Sequence, residues 1–220
     1  MNGAVNEETD SVARRLRATR AGSAAEPPEI AAAATAAGLA DVVYATLDSP
    51  VGSLLVAATP EGLARVAYVD FSGEEAVLED LAARLSPRVL ASPRALDDPR
   101  RQLEEYFSGH RQAFQLSLDM RLMTQFTRRI LTATAEIPYG SVSTYREVAA
   151  AAGSPRGFRA AGNALGSNPL PIVIPCHRVL HSGGGLGGYT GGLERKQALL
   201  GIERGQLTLG NPALGGLQGG

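Results

Sequence analysis

The strongest constraint on the fold is a cadence of apolar runs and turn signals between Asp41 and Val69. Val42-Val43-Tyr44-Ala45-Thr46-Leu47 reads as a strand, Ser49-Pro50-Val51-Gly52 as a turn, and Ser53–Thr59 as a second strand. Pro60-Glu61-Gly62 then makes a tight connection to a third, Leu63–Val69. Loops of hairpin length between such runs specify a β-meander, a three-stranded antiparallel sheet. Two helical patterns follow. Glu74–Leu85 places Val77, Leu78, Leu81 and Leu85 at helical spacing, and Ala95–Phe107 keeps Leu103 and Phe107 on one side after an Asp97/Asp98 start. Phe114–Leu118 reads as a last short strand. Residues 41–120 are therefore a small N-terminal α+β domain, and no catalytic constellation is visible within it.

The pattern after residue 120 is helical. Thr124–Ala135 is amphipathic with Phe126, Ile130 and Leu131 inward, and it stops before Ile137-Pro138-Tyr139-Gly140. Ser143 is placed to cap a helix over Thr144–Ala152, with Glu147 near its third position. Gly153-Ser154-Pro155 makes a short turn into a further helix, Arg156–Leu165. Two short helices about a glycine-containing turn have the proportions of a helix-turn-helix. Residues 121–208 form this second domain. Residues 1–40, rich in Ala, Glu and Arg, read as a helical or disordered extension with a helix near Val12–Arg20, and 209–220 as a flexible tail.

Charge divides along the same line. Residues 1–120 carry 11 arginines against 18 acidic residues, a net −7; residues 121–220 carry nine arginines and one lysine against four glutamates, a net +6. A basic half suits a polyanion partner, although two solvated faces of opposite sign would give the same numbers. A single cysteine among 220 residues excludes an internal disulfide and multi-cysteine zinc sites. The expected compartment is reducing and cytoplasmic. No run approaches the ~20 apolar residues of a membrane span, and the first residues lack a signal-peptide pattern.

That cysteine, Cys176, lies in Ile172-Val173-Ile174-Pro175-Cys176-His177-Arg178-Val179. A thiol attacks as the thiolate, and an adjacent base or positive charge lowers its free pKa of about 8.5. Here an imidazole and a guanidinium follow at once; a buried structural cysteine is the plainer alternative. The helix RGFRAAGNAL is the other unusual segment. Ala160, Ala161, Gly162 and Ala164 are small, Arg156 and Arg159 are basic, and Gly162 costs about 1 kcal/mol relative to Ala in a helix interior. Pressing the helix against a nucleic-acid groove, with Arg159 reaching inward, would offset that cost. Tight helix–helix packing would do so as well.

Several segments together resemble one family, the O6-alkylguanine-DNA alkyltransferases. They are Ile137-Pro138-Tyr139-Gly140, Arg159-Ala160-Ala161-Gly162-Asn163-Ala164-Leu165, the run Asn168-Pro169-Leu170-Pro171 continuing to Val179, and Gly187-Gly188-Tyr189-Thr190-Gly191-Gly192-Leu193. Lys196 and Glu203 follow downstream. The similarity covers about residues 122–204. It implies a winged helix-turn-helix domain that binds double-stranded DNA through the minor groove and flips the alkylated base, since the O6 substituent is out of reach inside a duplex.

Carried onto this chain, the resemblance makes Cys176 the acceptor of the alkyl group, once per molecule. His177, relayed through a water to Glu203, takes the thiol proton, and Tyr145 gives a proton to the guanine ring. Asn168 holds the turn between the DNA-binding helix and the active-site segment. Arg159 fills the gap left by the extruded base. Arg156, Ala160, Gly162, Asn163 and Tyr145 complete the DNA contacts, and Pro171, Val179, Tyr189 and Thr190 form the substrate pocket. No cofactor is implied, because the lesion supplies the alkyl group. No metal is expected either: some relatives bind zinc through Cys and His in the N-terminal domain, and those ligands are missing here. The protein is expected to be monomeric and without membrane contact, with cooperative assembly along DNA as an option. Rival readings are a lesion sensor without chemistry, against which Cys176 argues, a transcription factor, which lacks a sensor module, and a cysteine hydrolase, for which His110 and His181 bring no supporting motif.

Overall fold

The computed structural model describes residues 37–206. The expected helix near Val12–Arg20 and the expected tail at 209–220 lie outside the described residues. Strands β1 (Val42–Leu47), β2 (Leu54–Thr59) and β3 (Gly62–Tyr68) form the antiparallel meander. A fourth strand, β4 (Val89–Ala91), pairs in parallel with the free edge of β1, giving the order β3-β2-β1-β4. Three residues are too few to display a period, so this addition to the sheet has no signature in the sequence.

Both faces of the sheet are covered, which is why β2 reads as an unbroken apolar run. Successive residues point to opposite sides. Val42, Leu55, Ala57 and Ala67 face Val77 and Leu81 of helix α2 (Glu74–Arg84), which follows the short helix α1 (Val69–Ser72). Val43, Ala45, Leu54, Val56 and Tyr68 face Leu103, Tyr106 and Phe107 of α3 (Asp97–Phe107). The expected helix from Ala95 begins as a tight 3-10 turn, Pro93–Leu96, before α3. The expected strand at Phe114–Leu118 is only a single bridge. Leu63 donates its N–H to Ser117 O and accepts at its own carbonyl from Asp119 N–H, and Leu118 meets Leu63.

Helices α4 (Gln125–Ala135), α5 (Tyr145–Ala151) and α6 (Phe158–Gly166) pack against one another as the helix-turn-helix. The cap of α5 is Thr144 rather than Ser143. Thr144 Oγ1 accepts from Glu147 N–H at 3.2 Å while Glu147 Oε2 accepts from Thr144 N–H at 2.7 Å, a reciprocal box. Ser143 belongs instead to strand β5 (Ser143–Thr144), parallel to β6 (Val179–Leu180). Helix α6 starts two residues later than Arg156, because Gly157 N–H closes a turn on Ser154 O at 2.8 Å. Helix α7 (Leu193–Glu203) ends the described fold.

One hydrophobic cluster runs from Val43 and Leu54 through Tyr106 to Ile130, Val148, Leu165, Cys176 and Ile202. The two halves therefore share a core. At its surface Arg195 of α7 donates to Val51 O at 2.7 Å, pairs with Asp70 of α1, and lies 4.8 Å from the ring centre of Tyr68. Among the described residues no helix is long and apolar enough to cross a membrane.

Candidate active site

Cys176 opens a 3-10 turn, Cys176–Arg178, directly after Pro175. Its backbone N–H is bonded to Ile174 O at 2.8 Å, so the sulfur is held by a tight reverse bend. Asn168 organises that bend. Its Nδ2 donates to Ile174 O at 2.9 Å and lies 3.2 Å from Cys176 Sγ, while its Oδ1 accepts from Leu170 N–H at 2.9 Å. Inside the loop, Ile172 is fully buried with φ of 74°. A β-branched residue in the left-handed region is strained by of order 1–3 kcal/mol and persists only where its surroundings over-determine it. Here the Asn168 bonds and the buried isoleucine side chain do so.

Behind the sulfur lies a buried polar cluster. His177 Nε2 and Glu203 Oε1 are 2.8 Å apart. The contact is direct, so the relaying water expected between the two has no place there. Glu203 also accepts from Arg178 Nε at 3.0 Å and Nη2 at 2.8 Å, from Tyr106 OH at 2.8 Å and from Gly140 N–H at 3.1 Å. Burial alone would raise this carboxyl, but the bonds from His177 and Arg178 outweigh it and hold its pKa at about 2. Burial lowers His177, so the imidazole is neutral near pH 7. With Glu203 ionised the ring proton belongs on Nε2, which leaves Nδ1 as a lone pair. Nδ1 is buried and has no hydrogen-bond partner among the described residues. Burial also pushes the Cys176 thiol up to about 11, against the pull of the Asn168 hydrogen bond and the Lys196 charge. Lys196 is itself fully buried, with Nζ donating to Val179 O at 2.6 Å and to Leu186 O.

In front of the sulfur is a cavity of about 630 Å³. Of the residues singled out in the sequence, Tyr145, Arg159, Gly162, Cys176, Tyr189 and Thr190 line it. Ala160 and Asn163 are exposed on α6 and Arg156 in the turn before it, all outside the cavity lining. Pro171 and Val179, expected on the pocket wall, are not on it. Val179 is fully buried in the core at β6, with its carbonyl taken by Lys196, and Pro171 is buried in the strained loop.

The loop carrying Tyr189 and Thr190 is tied on three sides. Tyr189 OH is 2.8 Å from Tyr68 OH, Thr190 Oγ1 donates to Gly166 O at 2.7 Å, and Arg195 donates to Gly191 O. Glycine is required twice here: a Cβ on Gly187 would sit 2.5 Å from Tyr145 OH, and one on Gly191 2.6 Å from the Tyr68 ring, both at positive φ. Sequence reasoning missed Tyr106, Phe71 and Phe158, set His181 aside for want of a supporting motif, and gave Arg178 no role beyond the positive charge beside Cys176. Tyr106 neighbours the periodic Leu103 and Phe107 and reads as core; nothing local announces its hydroxyl's partner.

Gly162 behaves differently from those two glycines. A Cβ there would lie 3.8 Å from the Tyr145 ring, an ordinary contact, so packing inside the protein does not demand glycine. Gly162→Ala is expected to stabilise the fold by about 0.5–1 kcal/mol, read from its denaturation midpoint, while adding a methyl to the cavity wall beside Tyr145 and weakening binding of lesion DNA. A destabilised variant would mean that α6 needs the close approach for its own packing.

Both halves of the chain match known proteins. Residues 125–205 match the 6-O-methylguanine DNA methyltransferase DNA-binding domain, and residues 42–120 match the ribonuclease-like domain of the same proteins. The chain is 40% identical over 163 residues to the methylated-DNA–protein-cysteine methyltransferase of Mycolicibacterium paratuberculosis, covering 74% of this chain and 93% of that one. It is 38% identical to the protein of the same name from Methanosarcina barkeri, covering 74% and 98%. The crystal structure of Mycobacterium tuberculosis OGT in complex with DNA superposes with a TM-score of 0.66 at 36% identity, covering 76% of this chain and 95% of that one.

Proposed function

The chain belongs to the 6-O-methylguanine DNA methyltransferase family, and from that membership we propose that it repairs O6-alkylguanine in DNA by moving the alkyl group onto Cys176. The observation that carries the residue assignment is a buried thiol on the cavity wall whose next residue in the chain is a neutral imidazole held by an ionised carboxylate.

A thiol raised to about 11 is protonated at neutral pH and needs a base. His177 takes that proton on its free nitrogen, and Glu203 stabilises the imidazolium that results. The sulfur attacks the alkyl carbon, a C–S bond forms, and the C–O6 bond breaks with its electron pair leaving on guanine. Tyr145, which lines the cavity and whose pKa is raised by burial, returns a proton to the base so that a neutral guanine departs. The thioether product has no leaving group that water can displace here, so each molecule acts once. Lys196 counters the developing thiolate charge from its buried position.

DNA enters through α6 in this reading. The duplex is bound at its minor groove, Arg159 occupies the space of the extruded nucleotide, and Arg156, Ala160 and Asn163 contact the backbone. The protein acts as a monomer on this substrate. Intact-mass and peptide mass spectrometry after mixing with a duplex carrying one O6-methylguanine tests the proposal. The expected result is one methyl group on Cys176, saturating at one equivalent. Tight lesion-selective binding with an unmodified Cys176 would instead make the protein a sensor.

A further inference from the structure

The exposed face of helix α6 carries two large side chains, Arg159 and Phe158, among small and polar ones, and the fold does not use the second. Phe158, its first residue, is 41% exposed and belongs to neither hydrophobic cluster. Its ring nevertheless lies on the wall of the lesion cavity, with Arg159 and Gly162 of the same helix. Two guanidiniums flank it: Arg146 of α5 with Cζ 5.8 Å from the ring centre, and Arg159 with Cζ 5.9 Å from it. Neither arginine has an ion-pair partner among the described residues. An exposed phenyl ring held between two unpaired cations, at the leading end of the helix that meets DNA, matches what a groove-binding protein uses to part stacked bases. Such proteins insert apolar side chains at base steps while arginines hold the flanking phosphates.

We propose that Phe158 is a second wedge beside Arg159. Its ring stacks on the base neighbouring the extruded nucleotide, and Arg146 secures the adjacent phosphate. The inference rests on the alkyltransferase reading above and extends it to how the duplex is opened. Arg159 replaces the lost nucleotide as a polar plug, whereas an aromatic face restores the lost stacking and tolerates any neighbouring base, because every base has a π-face. Flipping removes exactly one stack from each neighbour, so a single ring in the right place can compensate one of them. The ring's exposure before DNA arrives is the cost of keeping it available.

The test compares single-turnover methylation of Cys176 by two substrates: a duplex with one O6-methylguanine, and a trinucleotide carrying the same lesion, which has no duplex to open. Stacking one base on an aromatic ring is sensitive to alanine substitution by roughly ten- to hundred-fold. Phe158→Ala is expected to slow the duplex reaction by about tenfold and to slow the trinucleotide reaction much less. Phe158→Trp, which keeps a stacking face, is expected to restore the duplex rate. Equal losses on both substrates would overturn the proposal, since the ring would then serve the bound nucleoside or the fold. An unchanged duplex rate would overturn it as well. If the wild-type protein methylates Cys176 with neither substrate, it is the alkyltransferase reading that fails, which this design separates from failure of the wedge.

Discussion

Cys176→Ala is expected to transfer no alkyl group at all while still binding O6-alkylguanine DNA. Cys176 is the only cysteine in the chain, so no second thiol can take over. Its side chain is buried, 5% exposed, and touches the cavity only along one wall, so truncation removes the nucleophile and little of the binding surface. Cys176→Ser sharpens the test. The hydroxyl can still accept from Asn168 Nδ2, so the bend survives, but an alcohol is a far weaker nucleophile than a thiol at neutral pH. Both variants are read by intact mass after incubation with lesion duplex and by a binding assay against undamaged DNA. A methylated product from either would remove Cys176 from the mechanism. Loss of lesion binding along with transfer would mean that the sulfur also shapes the pocket.

The second large effect is expected at Glu203. Replacement by Gln leaves Arg178 buried without its anion, and breaking a buried ion pair from one side costs about 3–5 kcal/mol. It also deprives His177 of the carboxylate that favours its protonated form, and general-base assistance is worth about 10²–10⁴-fold in rate. Slow transfer with greatly reduced stability is the expected phenotype. A stable variant with wild-type rate would show that the cluster is only packing.

The pH dependence follows with a definite sign. Glu203 is held at about 2 in the fold against an ordinary value of 4.5. Its contribution to stability is therefore complete above pH 4.5 and is lost as pH falls from there toward 2. His177 is lowered from 6.5 by burial, so the fold favours its neutral form, and stability declines as pH drops below 6.5 and the unfolded chain takes up the proton. Wild type should lose stability toward acid in two stages. Glu203→Gln should retain the stage near 6.5 and show a smaller loss below 4.5, since Asp41, Glu105, Asp119 and Glu147, all lowered by the fold, still titrate there. Denaturation midpoints measured from pH 7 to pH 3 distinguish the two curves.

Much of this was legible before any tertiary structure was considered, and the reasons are local. The meander could be read because turn chemistry and strand alternation act within a few residues, and β1 spans the expected Val42–Leu47. The helix-turn-helix could be read because amphipathic period, caps and breakers are equally short-ranged; the small errors, Thr144 for Ser143 and Phe158 for Arg156, are boundary shifts of one or two residues. The β4 pairing was not legible, since a three-residue strand joins β1 by contacts between segments far apart in sequence. The wall assigned to Pro171 and Val179 was misplaced for a related reason: proximity to Cys176 along the chain does not say on which side of the bend a side chain falls.

Sequence by itself determined the order of elements, the sole nucleophile and the residues at its shoulder, because each follows from residue chemistry and short-range geometry. Only the tertiary structure decided that Tyr106 and Arg178 share Glu203 with His177, that Tyr68 and Arg195 hold the pocket loop, and that Phe158 stands exposed at the cavity. Those facts depend on which surfaces the common core brings together. Burial in that core then sets the charge states, holding Glu203 ionised through its partners while keeping His177 neutral and Cys176 protonated until a substrate arrives.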